Sequence, residues 1–188
     1  GRHGERGQLT EGLPQRSLAL RGVPRRLYHQ NLSFLRDQRL RRMLELAGHE
    51  LHLGLPGPDD GVLIWGASPT AWRGERVAAW RGVPLVRVED AFLRSVLPGR
   101  TGGAAPLGLL IDPVGVHFDG SRPSRIEEIL MDSDLHNSNI LIEVSQLLHC
   151  FLEAGLSKYN NFDADLPAPE PGYVLVIDQT RGDASLRA

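Results

Sequence analysis

The fold is decided by the stretch Pro84-Leu-Val-Arg-Val-Glu-Asp90 together with the stretch Gly61-Val-Leu-Ile-Trp-Gly66 that precedes it. Both are short runs of apolar and β-branched residues, which is typical of buried strands. The stretch 61–66 ends in a glycine turn, and the stretch 84–90 ends in two adjacent carboxylates. Between them, Ala71–Trp80 has the composition of a helix. Strand, helix and strand at this spacing predict a βαβ unit and therefore a parallel sheet.

Further elements are expected on both sides of this unit. Ser124 and Glu127 match the capping-box pattern that starts a helix. We expect the three tryptophans, Trp65, Trp72 and Trp80, to pack in the core rather than to stack on a sugar. The same patterns predict helices at 31–47, from 124 onward and at 139–154, and strands at 50–53, 107–112, 116–118 and 173–177.

The composition is that of a soluble globular protein. The chain has 188 residues, 41% of them hydrophobic and 23% charged, with a formal net charge of −2. This charge gives no reason to expect nucleic acid as a partner, and no apolar run has the roughly 18 residues that span a bilayer. We therefore expect a cytoplasmic protein, although the arginine-rich region 1–43 could favour the anionic surface of the inner membrane. We divide the chain into a flexible lead-in (1–28), a first lobe (29–166) and the start of a second lobe (167–188).

The candidate site lies where the second strand of the βαβ unit ends. Ligands bind at the carboxyl ends of strands in α/β domains, and Glu89 and Asp90 stand there with Arg94 and Ser95 close behind. Neighbouring residues of a strand point to opposite faces, so both acids share one site only if the backbone turns at Asp90. A salt bridge from Arg94 to either acid, without a substrate role, is the alternative interpretation.

Four blocks of sequence resemble one family, the bacterial capsule polysaccharide biosynthesis and export proteins of the KpsC type, which are retaining β-Kdo glycosyltransferases. The resemblance covers about residue 29 to the end. Two features depart from the family pattern: Ala91 replaces the usual glycine, and 131–150 does not look like the usual helix. The blocks are Trp65-Gly-Ala-Ser-Pro-Thr70, Arg87-Val-Glu-Asp-Ala-Phe-Leu-Arg-Ser95, Pro106–Asp112 with Gly115-Val-His-Phe-Asp119 and Ser121–Pro123, and Ser157-Lys-Tyr-Asn160 with Val176–Ser185.

The resemblance implies a fold of two Rossmann-like lobes, of the kind called GT-B, with the first lobe present here and the nucleotide-binding lobe mostly missing. It implies transfer of Kdo (3-deoxy-D-manno-oct-2-ulosonic acid) from CMP-Kdo to a glycolipid acceptor with retention, and no cofactor besides this donor. The membrane surface or a capsule assembly complex would be a partner. We expect little or no activity from the 188-residue chain alone.

Roles for individual residues follow from the same resemblance. Retention is most simply explained by a covalent intermediate on a carboxylate. We predict Asp90 as this nucleophile, with Glu89 as acid/base or as the residue that orients the acceptor. Arg94 and Lys158 supply cations for the sugar carboxylate or the phosphate. The remaining predicted substrate-binding residues are Ser95, Tyr159, Asn160, Gln179, Arg181, Asp183 and Ser185.

Other functions are less compatible with the sequence. A noncatalytic capsule export or scaffold module remains the alternative. Asp178-Gln-Thr180 faintly resembles a haloacid-dehalogenase phosphatase, but a threonine stands where those enzymes need a second aspartate. The seven histidines show no metal-ligand spacing, and there is no GxGxxG or P-loop motif, so no metal, NAD or ATP site is predicted.

Overall fold

The computed structural model describes residues 22–97, 105–134, 136–163, 165–167, 169–178 and 181. Its centre is a five-stranded sheet. The strands are β1 (Arg26–His29), β2 (Glu50–Leu53), β3 (Gly61–Trp65), β4 (Leu85–Asp90) and β5 (Leu109–Asp112), in the spatial order β2-β1-β3-β4-β5.

The first four strands run parallel, as the βαβ pattern predicts, which confirms the α/β, Rossmann-like fold class. The edge strand β5 is antiparallel to β4. An antiparallel edge on an otherwise parallel sheet is common in doubly wound folds.

The described residues form five helices beside the sheet: α1 (Ser33–Arg36), α2 (Gln38–Leu46), α3 (Ala71–Arg81), α4 (Arg125–Asp132) and α5 (Ser138–Glu153). The single helix expected at 31–47 is divided at Asp37, whose backbone is extended (φ −87°, ψ 91°) and whose side chain caps α2 by accepting from the Leu40 N–H at 2.9 Å. The expected capping box of Ser124 and Glu127 is present at the start of α4.

Two apolar layers cover the two faces of the sheet. Leu63, Val86 and Val88 pack on α1 and α2, whereas Val62 and Ile64 pack on α3. Alternate side chains of β3 therefore point into opposite layers, as the pleat of a strand requires. Both layers converge on the central strands and hold the carboxyl ends of β3 and β4 in fixed positions.

Two expected strands are absent from the described residues. Val116–Phe118 lies in a turn, because the Asp112 carboxylate accepts from the N–H groups of Val114 at 2.7 Å and Gly115 at 2.9 Å and bends the chain directly after β5. Tyr173–Ile177 forms no strand, and its side chains are 58–87% exposed. A strand needs a neighbour to satisfy its backbone groups, and no described segment pairs with this one.

The tryptophan expectation is wrong for two of the three residues. Trp72 and Trp80 are 49% and 68% exposed, with the Arg73 and Arg81 guanidinium groups 5.6 Å and 5.1 Å from their ring centroids. Trp65 does pack, partly buried, against the layer beneath α1 and α2. A surface arginine can cover an indole face, so an exposed tryptophan next to arginine is physically reasonable.

The expected lead-in 1–28 lies mostly outside the described residues, and its last three residues belong to β1. Every described residue of α5 except Phe151 is exposed at its side chain, including the apolar ones. Within the part of the chain that the structure describes, no helix combines the length and the apolar character needed to cross a bilayer.

Candidate functional site

Asp90 and Arg94 form an ion pair at the carboxyl end of β4. Arg94 Nε donates to the Asp90 carboxylate oxygen Oδ2, and the side chains are 12% and 22% exposed respectively. The other oxygen, Oδ1, is covered from solvent and has no hydrogen-bond partner among the described residues. Within the part of the chain that the structure describes, Arg94 thus holds the carboxylate through Oδ2, and Oδ1 makes no hydrogen bond.

A distant loop, 157–160, meets the segment after β4. The Lys158 carbonyl accepts from the backbone N–H groups of Arg94 at 3.0 Å and Ser95 at 3.3 Å. Lys158 itself is exposed, and its Nζ lies 5.5 Å from the centroid of the Tyr159 ring. The structure therefore brings together residues that the sequence places more than sixty positions apart, with the backbone of Lys158 beside Arg94.

Two predicted substrate-binding side chains are engaged inside the protein. Ser95 is 1% exposed; its Oγ accepts from Arg94 Nη1 at 2.9 Å and donates to the Leu97 carbonyl at 2.6 Å. The Asn160 amide accepts from the Ser157 N–H at 2.8 Å and donates to the Ser157 carbonyl at 2.9 Å. These contacts fit a positioning role, since Ser95 steadies Arg94 and Asn160 shapes the loop beside it.

Glu89 and Asp90 lie on opposite faces of the sheet. Glu89 pairs with Leu110 and Asp90 with Leu109 in the β4–β5 ladder, so the strand stays extended through both acids. The turn that would bring both carboxylates into one site at Asp90 is absent. Glu89 packs instead over Gly66, whose φ is +34° and where any Cβ would overlap the Glu89 carboxylate.

Arg87 also belongs to the site, although its position inside an apolar strand did not indicate this. It is 8% exposed and donates from Nη1 to the Gly66 carbonyl at 2.7 Å and from Nη2 to Glu75 Oε1 at 2.8 Å. It therefore ties α3 to the turn after β3, over which Glu89 packs. A charged residue among buried apolar neighbours needs such partners. An arginine inside an otherwise apolar strand is therefore the feature of the sequence that could have indicated this role.

His117 is a second site residue that the sequence patterns did not predict. Its ring lies edge-on to Phe92 with the centroids 5.5 Å apart, just beyond the acid pair. Partial burial lowers the pKa of His117, nearby Lys158 lowers it further and Asp112 opposes the change. A ring that is neutral near neutral pH can accept a proton, so a potential base stands beside the segment that follows Asp90.

A cleft of about 290 Å³ opens between the carboxyl ends of β1 and β3. Its polar lining comes from the segments that follow these strands and from the start of α3. Its apolar lining includes Leu32, Phe34 and Trp65, and the polar residues are Gln30, Asn31, Ser68, Thr70 and Arg73. The described residues contain no group of three or more acidic, histidine or cysteine side chains that could hold a metal ion.

The remaining predicted residues are not brought into the site by the described part of the chain. Arg181 is exposed. Gln179, Asp183 and Ser185 lie outside the described residues. Their assignment to substrate binding stays a prediction.

The fold and the site together define a Rossmann-like α/β domain with charged and polar groups along the carboxyl edge of its sheet. The chain belongs to the capsule polysaccharide biosynthesis protein family, whose model matches residues 60–165. This agrees with the family that the four sequence blocks indicate.

Individual relatives share this region. The chain is 34% identical over 145 residues to the capsule polysaccharide modification protein LipA of Neisseria meningitidis serogroup B, covering 73% of this chain and 20% of LipA. It is 40% identical over 109 residues to the lipopolysaccharide-processing protein LpsZ of Rhizobium meliloti, covering 55% of this chain and 24% of LpsZ. The chain thus spans a quarter or less of the length of these curated relatives.

Two solved structures have the same fold. The Thermosulfurimonas dismutans KpsC β-Kdo 2,4 transferase superposes with a TM-score of 0.71 at 28% identity, covering 87% of this chain and 51% of that one. The β-Kdo 2,7 transferase of the same KpsC superposes with a TM-score of 0.55 at 23% identity, covering 86% and 50%. At that lower identity the second likeness concerns the fold alone.

Proposed function

We propose that this chain carries the nucleophile-bearing lobe of a retaining β-Kdo glycosyltransferase that acts in capsule polysaccharide biosynthesis. The observation that carries the proposal is the Asp90 carboxylate, oriented by Arg94 at the carboxyl end of β4 with Oδ1 uncommitted. The family membership and the likeness to a KpsC Kdo transferase at 28% identity support it.

The reaction proceeds in two displacements. The Asp90 carboxylate attacks the anomeric carbon of Kdo, a C–O ester bond forms, and the bond to the phosphate of CMP breaks with CMP leaving. An acceptor hydroxyl then loses its proton to a base and attacks the same carbon, and the Asp90 carboxylate leaves. Two inversions give net retention.

The charges around Asp90 suit this sequence of steps. Before the first step Arg94 neutralises and orients the carboxylate. Formation of the ester removes that negative charge, which frees the guanidinium for the carboxylate that Kdo itself carries. Lys158, exposed beside Arg94, provides a second cation for the sugar carboxylate or the CMP phosphate. The donor is a CMP-sugar and the acceptor a glycolipid, which places the protein at a membrane surface during turnover.

The deciding experiment compares Asp90→Asn with Asp59→Asn, an exposed carboxylate elsewhere. The 188-residue chain and the complete gene product that contains it are each incubated with CMP-Kdo, with and without a synthetic glycolipid acceptor. Intact-protein mass spectrometry detects a Kdo adduct, and NMR of the product gives the anomeric configuration. We expect the wild-type gene product and Asp59→Asn to form adduct and retained product, and Asp90→Asn to form neither.

Three outcomes would overturn this proposal. Undiminished transfer by Asp90→Asn would remove the nucleophile, and an inverted product would remove the two-step mechanism. No transfer by the wild-type gene product would favour the noncatalytic export or scaffold module instead.

A further inference from the structure

The cleft between β1 and β3 lies at the point where the topology of the sheet reverses. From β1 the chain crosses to β2 on one side, and from β3 it continues to β4 on the other. The segments that leave the two strands diverge there and open a crevice at the carboxyl edge. In open α/β sheets such a switch point is where ligands bind. The cleft is distinct from the Asp90–Arg94 pair, which stands one strand further along.

The lining of the cleft has the chemistry of a carbohydrate site. Gln30 is anchored by its Nε2, which donates to the Gly54 carbonyl at 2.8 Å, while its Oε1 is buried without a hydrogen-bond partner among the described residues. Ser68 and Thr70 present hydroxyls on the opposite wall. Groups that both donate and accept suit sugar hydroxyls, and the partly buried Trp65 provides an apolar surface for the ring.

The position of Trp65 relates the cleft to both acids. Trp65 pairs with Val88 across β3 and β4, so its side chain shares a sheet face with Val88 and Asp90. From strand spacing and rise, the Cα atoms of Trp65 and Asp90 are about 8 Å apart. Glu89 packs over Gly66, the residue next to Trp65, and so reaches the same edge from the other face. A ligand seated in the cleft thus reaches toward the reacting centre.

We propose that this cleft binds a sugar ring of the acceptor, with Gln30 and Ser68 reading its hydroxyls and Trp65 supporting its apolar face. The assignment rests on the proposed transfer reaction and names where its acceptor lies. The volume of about 290 Å³ is at the lower end of small-molecule sites and accommodates one sugar ring. Arg73 on the rim provides a cation for an acidic sugar.

Binding is measured directly on the 188-residue chain, so catalysis is not needed. The probe is the methyl β-glycoside of Kdo, titrated while the side-chain amide signals of Gln30 and Asn31 and the Trp65 indole signal are followed by NMR. Gln30→Ala and Ser68→Ala are the test variants, and Gln146→Ala on exposed α5 is the matched control. We expect each test variant to bind the glycoside about tenfold more weakly, because each loses one well-made hydrogen bond. The control variant should bind as tightly as the wild type.

Several results of this titration would contradict the assignment of the cleft. No shift of the three signals, shifts confined to other residues, or unchanged affinity in both test variants would overturn the inference. Inorganic phosphate is titrated in parallel, and equal shifts with phosphate would show an anion site rather than a sugar site. The titration is repeated with Asp90→Asn to separate this inference from the proposed mechanism. If Asp90→Asn binds the glycoside normally and still transfers Kdo, the mechanism is overturned but the cleft assignment stands. If Asp90→Asn loses transfer while Gln30→Ala and Ser68→Ala bind the glycoside as tightly as wild type, only the cleft assignment is overturned.

Discussion

Substitution of Gly66 by alanine tests whether the turn after β3 was shaped around the Glu89 carboxylate. Gly66 has φ +34°, in the left-handed region that L residues avoid. A Cβ at this position would lie 2.5 Å from Glu89 Cδ and closer still to Oε1, so the carboxylate would have to move. Arg87 holds the Gly66 carbonyl at 2.7 Å, which prevents the turn from yielding instead.

The cost has two parts. Placing an L residue in the left-handed region costs about 1–2 kcal/mol. Forcing the Glu89 side chain out of its rotamer adds about 0.5–1.5 kcal/mol. We therefore expect Gly66→Ala to lower the free energy of unfolding by about 1.5–3.5 kcal/mol.

Gly82→Ala is the matched control. Gly82 also has a left-handed backbone, with φ +65°, but nothing lies within 4 Å of where its Cβ would stand. It therefore carries the backbone cost without the clash. Urea unfolding followed by tryptophan fluorescence gives both free energies, and a double-mutant cycle of Gly66→Ala with Glu89→Ala isolates the contact. Equal losses in Gly66→Ala and Gly82→Ala, with no coupling to Glu89, would refute the reasoning.

Three further outcomes can be measured by urea unfolding. Arg94→Ala leaves the mostly buried Asp90 carboxylate without its ion-pair partner and should cost about 1–3 kcal/mol, less than for a fully buried pair; an unchanged midpoint would contradict this. Ser124→Ala removes a buried cap that bonds both the backbone and the carboxylate of Glu127, and should cost about 1–2 kcal/mol, whereas no loss would show that α4 does not need the cap. Burial lowers the pKa of His29 below 6.5, so the unfolded chain takes up more protons there and stability, full above about pH 6.5, should fall as the pH drops. His29→Gln should flatten this decline, and an identical pH dependence in the variant would count against the assignment.

The central βαβ unit could be predicted because its signals are local. Buried strands at 61–65 and 85–90 and the helix between them are each encoded by their own residues. The strand β1 was not foreseen, since Arg26-Leu-Tyr-His29 is only four residues long and carries two basic groups. It forms because β2 and β3 pair with it on both sides, which is a property of the sheet rather than of the segment.

Segment 173–177 shows the opposite case. Its apolar, β-branched residues are typical of a strand, yet they stay exposed because no described neighbour pairs with them. Strand propensity measures how well side chains fit a pleated and half-buried surface, so it has no effect where no such surface exists. The apolar pattern of α5 likewise predicted the helix correctly but said nothing about what it packs against.

The site was predictable to the extent that it lies within a few residues. Asp90 and Arg94 are four positions apart, and their proximity could be expected from the chain alone. The contact between Arg94 and the Lys158 carbonyl joins segments whose meeting no local pattern encodes, and only the family resemblance suggested it. The cleft at Gln30 was missed for the same reason, because it is formed by two strand ends that are distant in sequence.

The antiparallel edge strand explains why two adjacent acids have different surroundings. Hydrogen bonding to β5 keeps β4 extended through Asp90, so the pleat sends Asp90 toward Arg94 and Glu89 toward Gly66. A retaining transfer needs a nucleophile that is ionised when the donor binds and a separate group near the acceptor, and two carboxylates crowded into one site would oppose each other's ionisation. The pleat of β4 separates the two carboxylates although they belong to adjacent residues. In the proposed transfer, this strand end therefore turns the nucleophile Asp90 toward Arg94 and leaves Glu89 beside the Gly66 turn, away from the reacting carboxylate.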